Sequence, residues 1–201
     1  MALFEDPRVP ELGPNVQRAH GPLAAALGRF LMRVTGWRFE GEVPDVRKMV
    51  LIVAPHTSNW DFPVGLTAKL ALRLGGTFIG KHTLFRWPFG VFMRALGGIP
   101  VDRKAATGFV SEVARVLREA DRMTVVLAPE GTRRRIAQWK SGFYRIAVEA
   151  GAPILPVGFD YSRKVVFFAP LLHPTGDYDV DLPRLRAHYR AEMAKTPGNY
   201  A

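Results

Sequence analysis

Two apolar runs, "MVLIVAP" at 49–55 and "MTVVLAP" at 123–129, end alike, in a proline followed by an abrupt cluster of polar and charged side chains. Short, unbroken runs of Val, Ile and Leu fit strands buried on both faces, the strand type of parallel sheets. Between them lie segments of helical period. Residues 106–120 put Phe109, Val110, Val113, Val116 and Leu117 on one stripe, with charges opposite. Residues 22–35 place Leu23, Leu27, Phe30, Leu31 and Val34 at helical spacing. Residues 62–74 read as a helix, with Asn59 or Asp61 as N-cap and Pro63 in the first turn. "GFYRIAVEAG" reads as a helix stopped at Gly151. "TFIG", "GIPV", "PILPVGF" and "KVVFF" supply further strands, and residues 183–195 a charged closing helix. Strands alternating with helices predict an α/β fold: a single domain with a mixed, mostly parallel central sheet covered by helices. Residues 1–21 read as an N-terminal extension and residues 22–201 as the domain.

In such sheets ligands gather outside the carboxyl ends of the strands. Both polar clusters fall there. The first, "PHTSNWD", places His56 and Asp61 five positions apart. Residues so spaced do not share a helix face, so the two meet only if the chain turns between them. Ser and Asn suit that turn. A strand–turn–helix would bring the Asp61 carboxylate to one imidazole nitrogen and leave the other as a base. The plainer reading is that Asp61 caps the helix and His56 merely ends the strand. The second cluster is "LAPEGTRRR", 127–135, where a glycine permits close approach to an anion and arginine forks match phosphate oxygens. A third, "GGIPVDRK" at 97–104, carries Arg103 after a short strand. A solvated basic loop or turn is the plainer reading of each.

Other chemistries find less support. The chain has no cysteine, which excludes disulfides and thiolate nucleophiles. Gly75, Gly80 and Lys81 have Walker A spacing, but His82 stands where Ser or Thr is required. No Gly-x-Ser-x-Gly elbow occurs. His20, His82, His173 and His188 lack metal-ligand spacing. Lys and Arg total 28 against 18 Asp and Glu, for a net charge of +10, which points to an anionic partner: nucleic acid, anionic lipid or a phosphorylated small molecule. Aromatics concentrate in "LFRWPFGVF", 84–92, too apolar for a solvated stacking platform, so no nucleic-acid partner is expected. The first residues, "MALFEDPRVPELGP", lack the apolar core of a signal peptide, and no apolar run reaches the ~20 residues needed to span a bilayer. The expectation is a cytoplasmic protein, soluble or held at a membrane surface.

Taken together, the clusters resemble the glycerolipid acyltransferase family, which includes 1-acylglycerol-3-phosphate acyltransferases. "HTSNWD" at 56–61, "GGIPVDR" at 97–103, "PEGTR" at 129–133 and "PILPV" at 153–157 match four family blocks in order. "GKHTLF" at 80–85 is similar to a segment that carries a lysine in many members, here Lys81. The likeness spans roughly residues 47–160, in a chain that looks like a short bacterial variant. Two features depart from the common pattern: Arg134 follows "PEGTR" where many members have serine, and the longer amino-terminal membrane segment of many members is reduced to the 22–35 stripe.

The resemblance implies a glycerol-3-phosphate acyltransferase-like fold and an acyl transfer to a lysophospholipid hydroxyl. His56 would be the general base and Asp61 its orienting partner. Arg103, Glu130, Gly131, Thr132 and Arg133 would hold the acceptor and its phosphate, with Lys81 steadying phosphate or oxyanion. Pro153, Ile154, Pro156 and Val157 would shape the acyl-donor side. The donor would be acyl-CoA or acyl carrier protein, with no cofactor and no metal. Residues 22–36 and "LFRWPFGVFMRAL", flanked by arginines, are candidates for docking on an anionic membrane, placing the protein peripherally on the inner face of the cytoplasmic membrane; packing of both into the core is the other reading. Competing functions are a lipid or acyl-carrier-protein binder that keeps the fold without catalysis, and transfer to a different lyso-lipid acceptor.

Overall fold

The computed structural model describes residues 9–101 and 108–200, with the side chains of residues 79–82, 84, 89 and 101 left out of the description. Seven strands form one sheet in the order β1-β7-β6-β2-β5-β3-β4. They are β1 (Arg38–Glu40), β2 (Lys48–Ala54), β3 (Thr77–Lys81), β4 (Gly98–Val101), β5 (Met123–Leu127), β6 (Ile154–Asp160) and β7 (Val165–Phe168). Strands β6, β2, β5, β3 and β4 pair in parallel; β7 runs antiparallel to β6, and β1 is parallel to β7. The helices are α1 (Pro22–Thr35), α2 (Asp61–Leu72), α3 (Phe89–Ala95), α4 (Phe109–Glu119), α5 (Gly142–Ala150) and α6 (Tyr178–Arg186). The α/β class expected from the alternating pattern is the one observed.

Alternation within the buried strands divides the core. Val50 and Ile52 of β2 and Ile154 of β6 join α4, α5 and Leu185 of α6 on one face. Met49 and Leu51 of β2 and Leu155 and Val157 of β6 join Met32 of α1 and Ala68, Ala71 and Leu72 of α2 on the other. Period-two geometry sends successive side chains to opposite faces, so an unbroken apolar run feeds both layers. From β2 the chain crosses through α2 toward β3. From β5 it crosses through α5, on the opposite face, to β6. The crossovers diverge at the β2–β5 boundary, where open α/β sheets form their ligand crevice.

Several expectations need correction. Helix α2 starts at Asp61 itself, and Trp60, at the N-cap position, makes no side-chain cap. The closing helix spans Tyr178–Arg186, because the Asp177 carboxylate caps it by accepting from the amides of Asp179 and Val180; Pro183 lies inside it. A 3-10 turn at Ala191–Met193 follows where the helix was expected to continue. In the stretch before α1, Leu12 and Val16 are buried in the core with α1 and α2. Helix α4 starts at Phe109; residues 106 and 107, expected at its start, lie outside the described residues.

Helix α1 turns its apolar stripe outward. Leu23 is 86% exposed, and Leu27, Phe30 and Val34 are also exposed, while Ala25, Gly28 and Met32 are buried. The small residues allow α1 to lie close on α2. A side chain at Gly28 would collide with the backbone nitrogen of Ala71 and with Leu70. At the same end of α2, Lys69 donates to the carbonyls of Gly76 (2.9 Å) and Leu96, tying α2 to the turns that precede β3 and β4.

Gly28→Val is therefore expected to destabilise the fold by about 1–3 kcal/mol, the usual cost of overpacking, because the obstacle is backbone. Thermal unfolding by circular dichroism measures it; an unchanged melting temperature would mean that α1 can lift off α2 freely.

Candidate active site

Strand β2 ends at Ala54, the chain turns through Pro55–Trp60, and α2 begins at Asp61. The turn folds the Asp61 carboxylate back on the strand end. His56 Nδ1 lies 3.1 Å from Asp61 Oδ2. The same oxygen accepts the Ser58 amide at 2.9 Å, and Oδ1 accepts the Tyr161 hydroxyl at 2.9 Å. A carboxylate only accepts, so Nδ1 carries a proton and neutral His56 keeps its lone pair on Nε2. The imidazole is 24% exposed, while the carboxylate side chain is 1% exposed. Asp61 therefore does not act as the simple helix cap of the plainer reading: its oxygens face the turn and the imidazole, not the first amides of α2.

Because β2 and β5 are parallel neighbours, the loop after β5 reaches the same place. Glu130 is 2% exposed, and its Oε1 accepts the His56 backbone amide at 2.8 Å. The resemblance implied a role on the acceptor phosphate. The structure buries this carboxylate against the His56 backbone amide, and a carboxylate would repel phosphate in any case. Burial raises the Glu130 carboxyl above its ordinary range, opposed by the His56 amide. Gly131 turns the chain in the left-handed region (φ 63), which favours glycine. Thr132 Oγ1 accepts the Arg134 amide at 3.3 Å. Arg133 is exposed and donates to Asn59 Oδ1, joining the two loops. Arg133 thus joins the loop that carries Gly131 and Thr132 to the His56 turn.

Lys81 lies at the end of β3, next to β5, and its side chain is outside the description. Arg103 lies outside the described residues altogether. Ile154, Pro156 and Val157 are buried in β6, and Pro153 precedes it, its carbonyl accepting the Val50 amide. Ile154, Pro156 and Val157 fill the core beside β2, while Pro153 is half-buried. Among the described residues, no group of three or more His, Asp or Glu could hold a metal ion.

Sequence reasoning missed Tyr161. It stands one residue beyond β6, past a strand carboxyl end as His56 and Glu130 do, and that position was the available signal. Burial, with the Asp61 charge beside it, pushes its phenol far above the ordinary value, so it remains a donor. Its ring borders a groove of about 550 Å³ lined also by Leu31, Trp37, Trp60, Val64 and Lys195.

The sequence profile of the Acyltransferase family matches residues 36–160. The 1-acyl-sn-glycerol-3-phosphate acyltransferase of Haemophilus influenzae is 30% identical over 147 residues, covering 68% of this chain and 59% of the relative. The enzyme of that name from Escherichia coli is 31% identical over 114 residues, covering 53% of this chain and 45% of the relative. The chain thus spans less than two thirds of the length of these curated relatives. The crystal structure of the 1-acyl-sn-glycerophosphate acyltransferase of Thermotoga maritima superposes with a TM-score of 0.59 at 21% identity, covering 83% of this chain and 75% of that one. That likeness concerns the fold.

The desolvated Glu130 gives a signed pH effect. Its folded value is raised, so the charged form costs stability. The cost is absent below the ordinary carboxyl value, where the group is neutral folded and unfolded alike, and it grows as pH rises through the raised value. Glu130→Gln, which keeps an accepting oxygen for the His56 amide, should melt above the parent protein at neutral pH and converge with it in acid. Melting temperatures of both across pH test this; a variant that melts lower at neutral pH would assign the charge a net stabilising role.

Proposed function

The chain belongs to the Acyltransferase family, and from that premise we propose that it moves a fatty acyl group from a thioester donor to the hydroxyl of a lysophospholipid such as 1-acylglycerol-3-phosphate. The observation that carries the reading is the His56–Asp61 pair, an accessible imidazole held at 3.1 Å by a buried carboxylate. That is the base half of a catalytic triad without its serine, suited to activating a hydroxyl brought by the substrate. The names of the Haemophilus and Escherichia relatives support the acceptor.

In the proposed reaction, His56 Nε2 takes the acceptor's hydroxyl proton as the oxygen attacks the thioester carbonyl. The tetrahedral intermediate collapses, the carbon–sulfur bond breaks, and the imidazolium returns the proton to the thiolate. Such general-base assistance is typically worth ~10²–10⁴-fold. A thioester is already reactive, so the scheme needs no covalent enzyme intermediate, metal or cofactor. Arg133 and Thr132 take the acceptor's anionic group, a reading supported by the contact of Arg133 with Asn59 of the His56 turn. Arg103 and Lys81 join them on the strength of the family likeness. The donor is acyl-CoA or acyl carrier protein.

We further propose that the protein works on an anionic membrane surface, peripherally on the inner face of the cytoplasmic membrane. Leu23, Leu27, Phe30 and Val34 of α1 are exposed, as are Trp87, Val91 and Phe92 around α3, and Arg33, Arg86 and Arg94 stand among them. Apolar faces edged with arginine are the composition of interfacial helices. Among the described residues, no helix is long and apolar enough to cross a membrane.

His56→Ala should lower kcat for acyl transfer by roughly 10²–10⁴-fold while the fold survives, because the residue lies past the end of β2. Asp61→Asn should also slow turnover by favouring the wrong tautomer, and the double variant should be hardly worse than His56→Ala, since the two act as a unit. Assays with labelled acyl-CoA and lysophosphatidic acid, with circular dichroism as control, decide the matter. Near-normal turnover by folded His56→Ala would refute the mechanism. For the membrane, Leu27→Glu with Phe30→Glu should abolish co-sedimentation with anionic vesicles at unchanged stability. Undiminished binding would refute docking through α1.

A further inference from the structure

The structure assigns Tyr161 as the residue that positions the His56–Asp61 pair, outside any of the sequence blocks. The assignment starts from the donors around one buried carboxylate. Asp61 Oδ2 receives two, the Ser58 amide at 2.9 Å and His56 Nδ1 at 3.1 Å. Oδ1 receives the Tyr161 hydroxyl at 2.9 Å. Rotation about the Cβ–Cγ bond of an aspartate is soft and roughly two-fold. With donors on Oδ2 alone, the group could pivot, keep the Ser58 amide and lose the imidazole. A donor on Oδ1 fixes the carboxylate plane and with it the direction in which the imidazole must point. The Asp61 carboxylate is 1% exposed, so a missing phenol would leave one of its oxygens buried without its donor.

The phenol is itself held from three directions. Its ring meets the edge of Trp37 at 5.0 Å between centroids and 88° between planes. The Lys195 ammonium stands 5.6 Å from the ring centroid. The Tyr161 amide donates to the Met193 carbonyl at 2.8 Å. The segment that supplies Met193 and Lys195 also donates from the Thr196 amide to Thr57 Oγ1, at 3.2 Å, inside the His56 turn. The last residues of the chain therefore grip the pair on two sides, through Tyr161 and through Thr57. Tyr161 also lines the groove beside Trp60, together with Trp37 and Lys195, so a ligand lying there would touch the side chain that orients Asp61.

The role rests on the acyl-transfer reading for its consequence but not for its geometry, and the test separates the two. The tautomer of His56 is read by nitrogen-15 NMR of the labelled protein, assigned by loss of its signals in His56→Gln. The parent protein should show the Nδ1-protonated form. Tyr161→Phe keeps the ring against Trp37 and Lys195 and removes only the donor; it should show mixed tautomers at an unchanged fold. Lys195→Met leaves the phenol in place and should retain the parent spectrum. With lysophosphatidic acid and acyl-CoA, Tyr161→Phe should lower kcat by about 10- to 100-fold, the range for loss of an outer orienting partner, with KM unchanged. A Tyr161→Phe spectrum identical to the parent, or a Lys195→Met spectrum equally disturbed, would overturn the assignment. An inactive parent with the expected spectra would sink the acyl-transfer reading and leave the positioning role standing.

Discussion

Parallel pairing of β2 with β5 sets a second buried carboxylate, Glu130, beside the histidine that Asp61 already holds. Asp61 holds the ring of His56 through Nδ1, and Glu130 holds its backbone amide. Burying like charges this near each other is costly, and the charge of Asp61 adds to the upward push that burial gives Glu130. The arrangement persists because the carboxylate oxygens that face His56 have good donors. The cost falls on stability; the return is a histidine fixed at both backbone and ring. Were β5 not the neighbour of β2, Glu130 would end elsewhere on the sheet and the His56 amide would lose its acceptor.

The wider fold serves that adjacency. Crossovers leaving β2 and β5 go to opposite faces, opening a crevice at their carboxyl ends. The two apolar layers, one built on α1 and α2 and the other on α4, α5 and α6, hold the strands beneath it. The residues that matched the fourth sequence block, Ile154, Pro156 and Val157, belong to this support: β6 is the strand that carries Tyr161 to the site.

The sequence displayed the sheet class and the His56–Asp61 turn because both follow from local rules: unbroken apolar runs make buried strands, and a turn-prone segment returns a carboxylate to a strand end. The position of α6 escaped because its start depends on one short-range cap, Asp177, and Pro183 lies inside the helix instead of at its edge. The outward stripe of α1 read equally well as a core stripe, since periodicity shows that a helix has an apolar side but not which side faces inward. Here Ala25 and Gly28 win the interior because close helix approach rewards small residues. Glu130 was recognisable as part of the site, but its partner was not, because its bond to the His56 amide crosses from strand to strand. Tyr161 is a hundred residues from Asp61 in sequence, and only the order of strands joins them.

The close seating of α1 on α2 has a consequence for selectivity. Gly28 lets α1 press against the backbone of the helix that begins with Asp61, so the outward side of α1 is tied to the helix that holds His56. On the proposed membrane reading, a lipid surface under α1 fixes the height of His56 above it. Hydroxyls floating at that height are reached and those deeper or shallower are not. Part of the discrimination between acceptors would then reside in the depth at which each molecule sits in the lipid layer, before any side chain touches it.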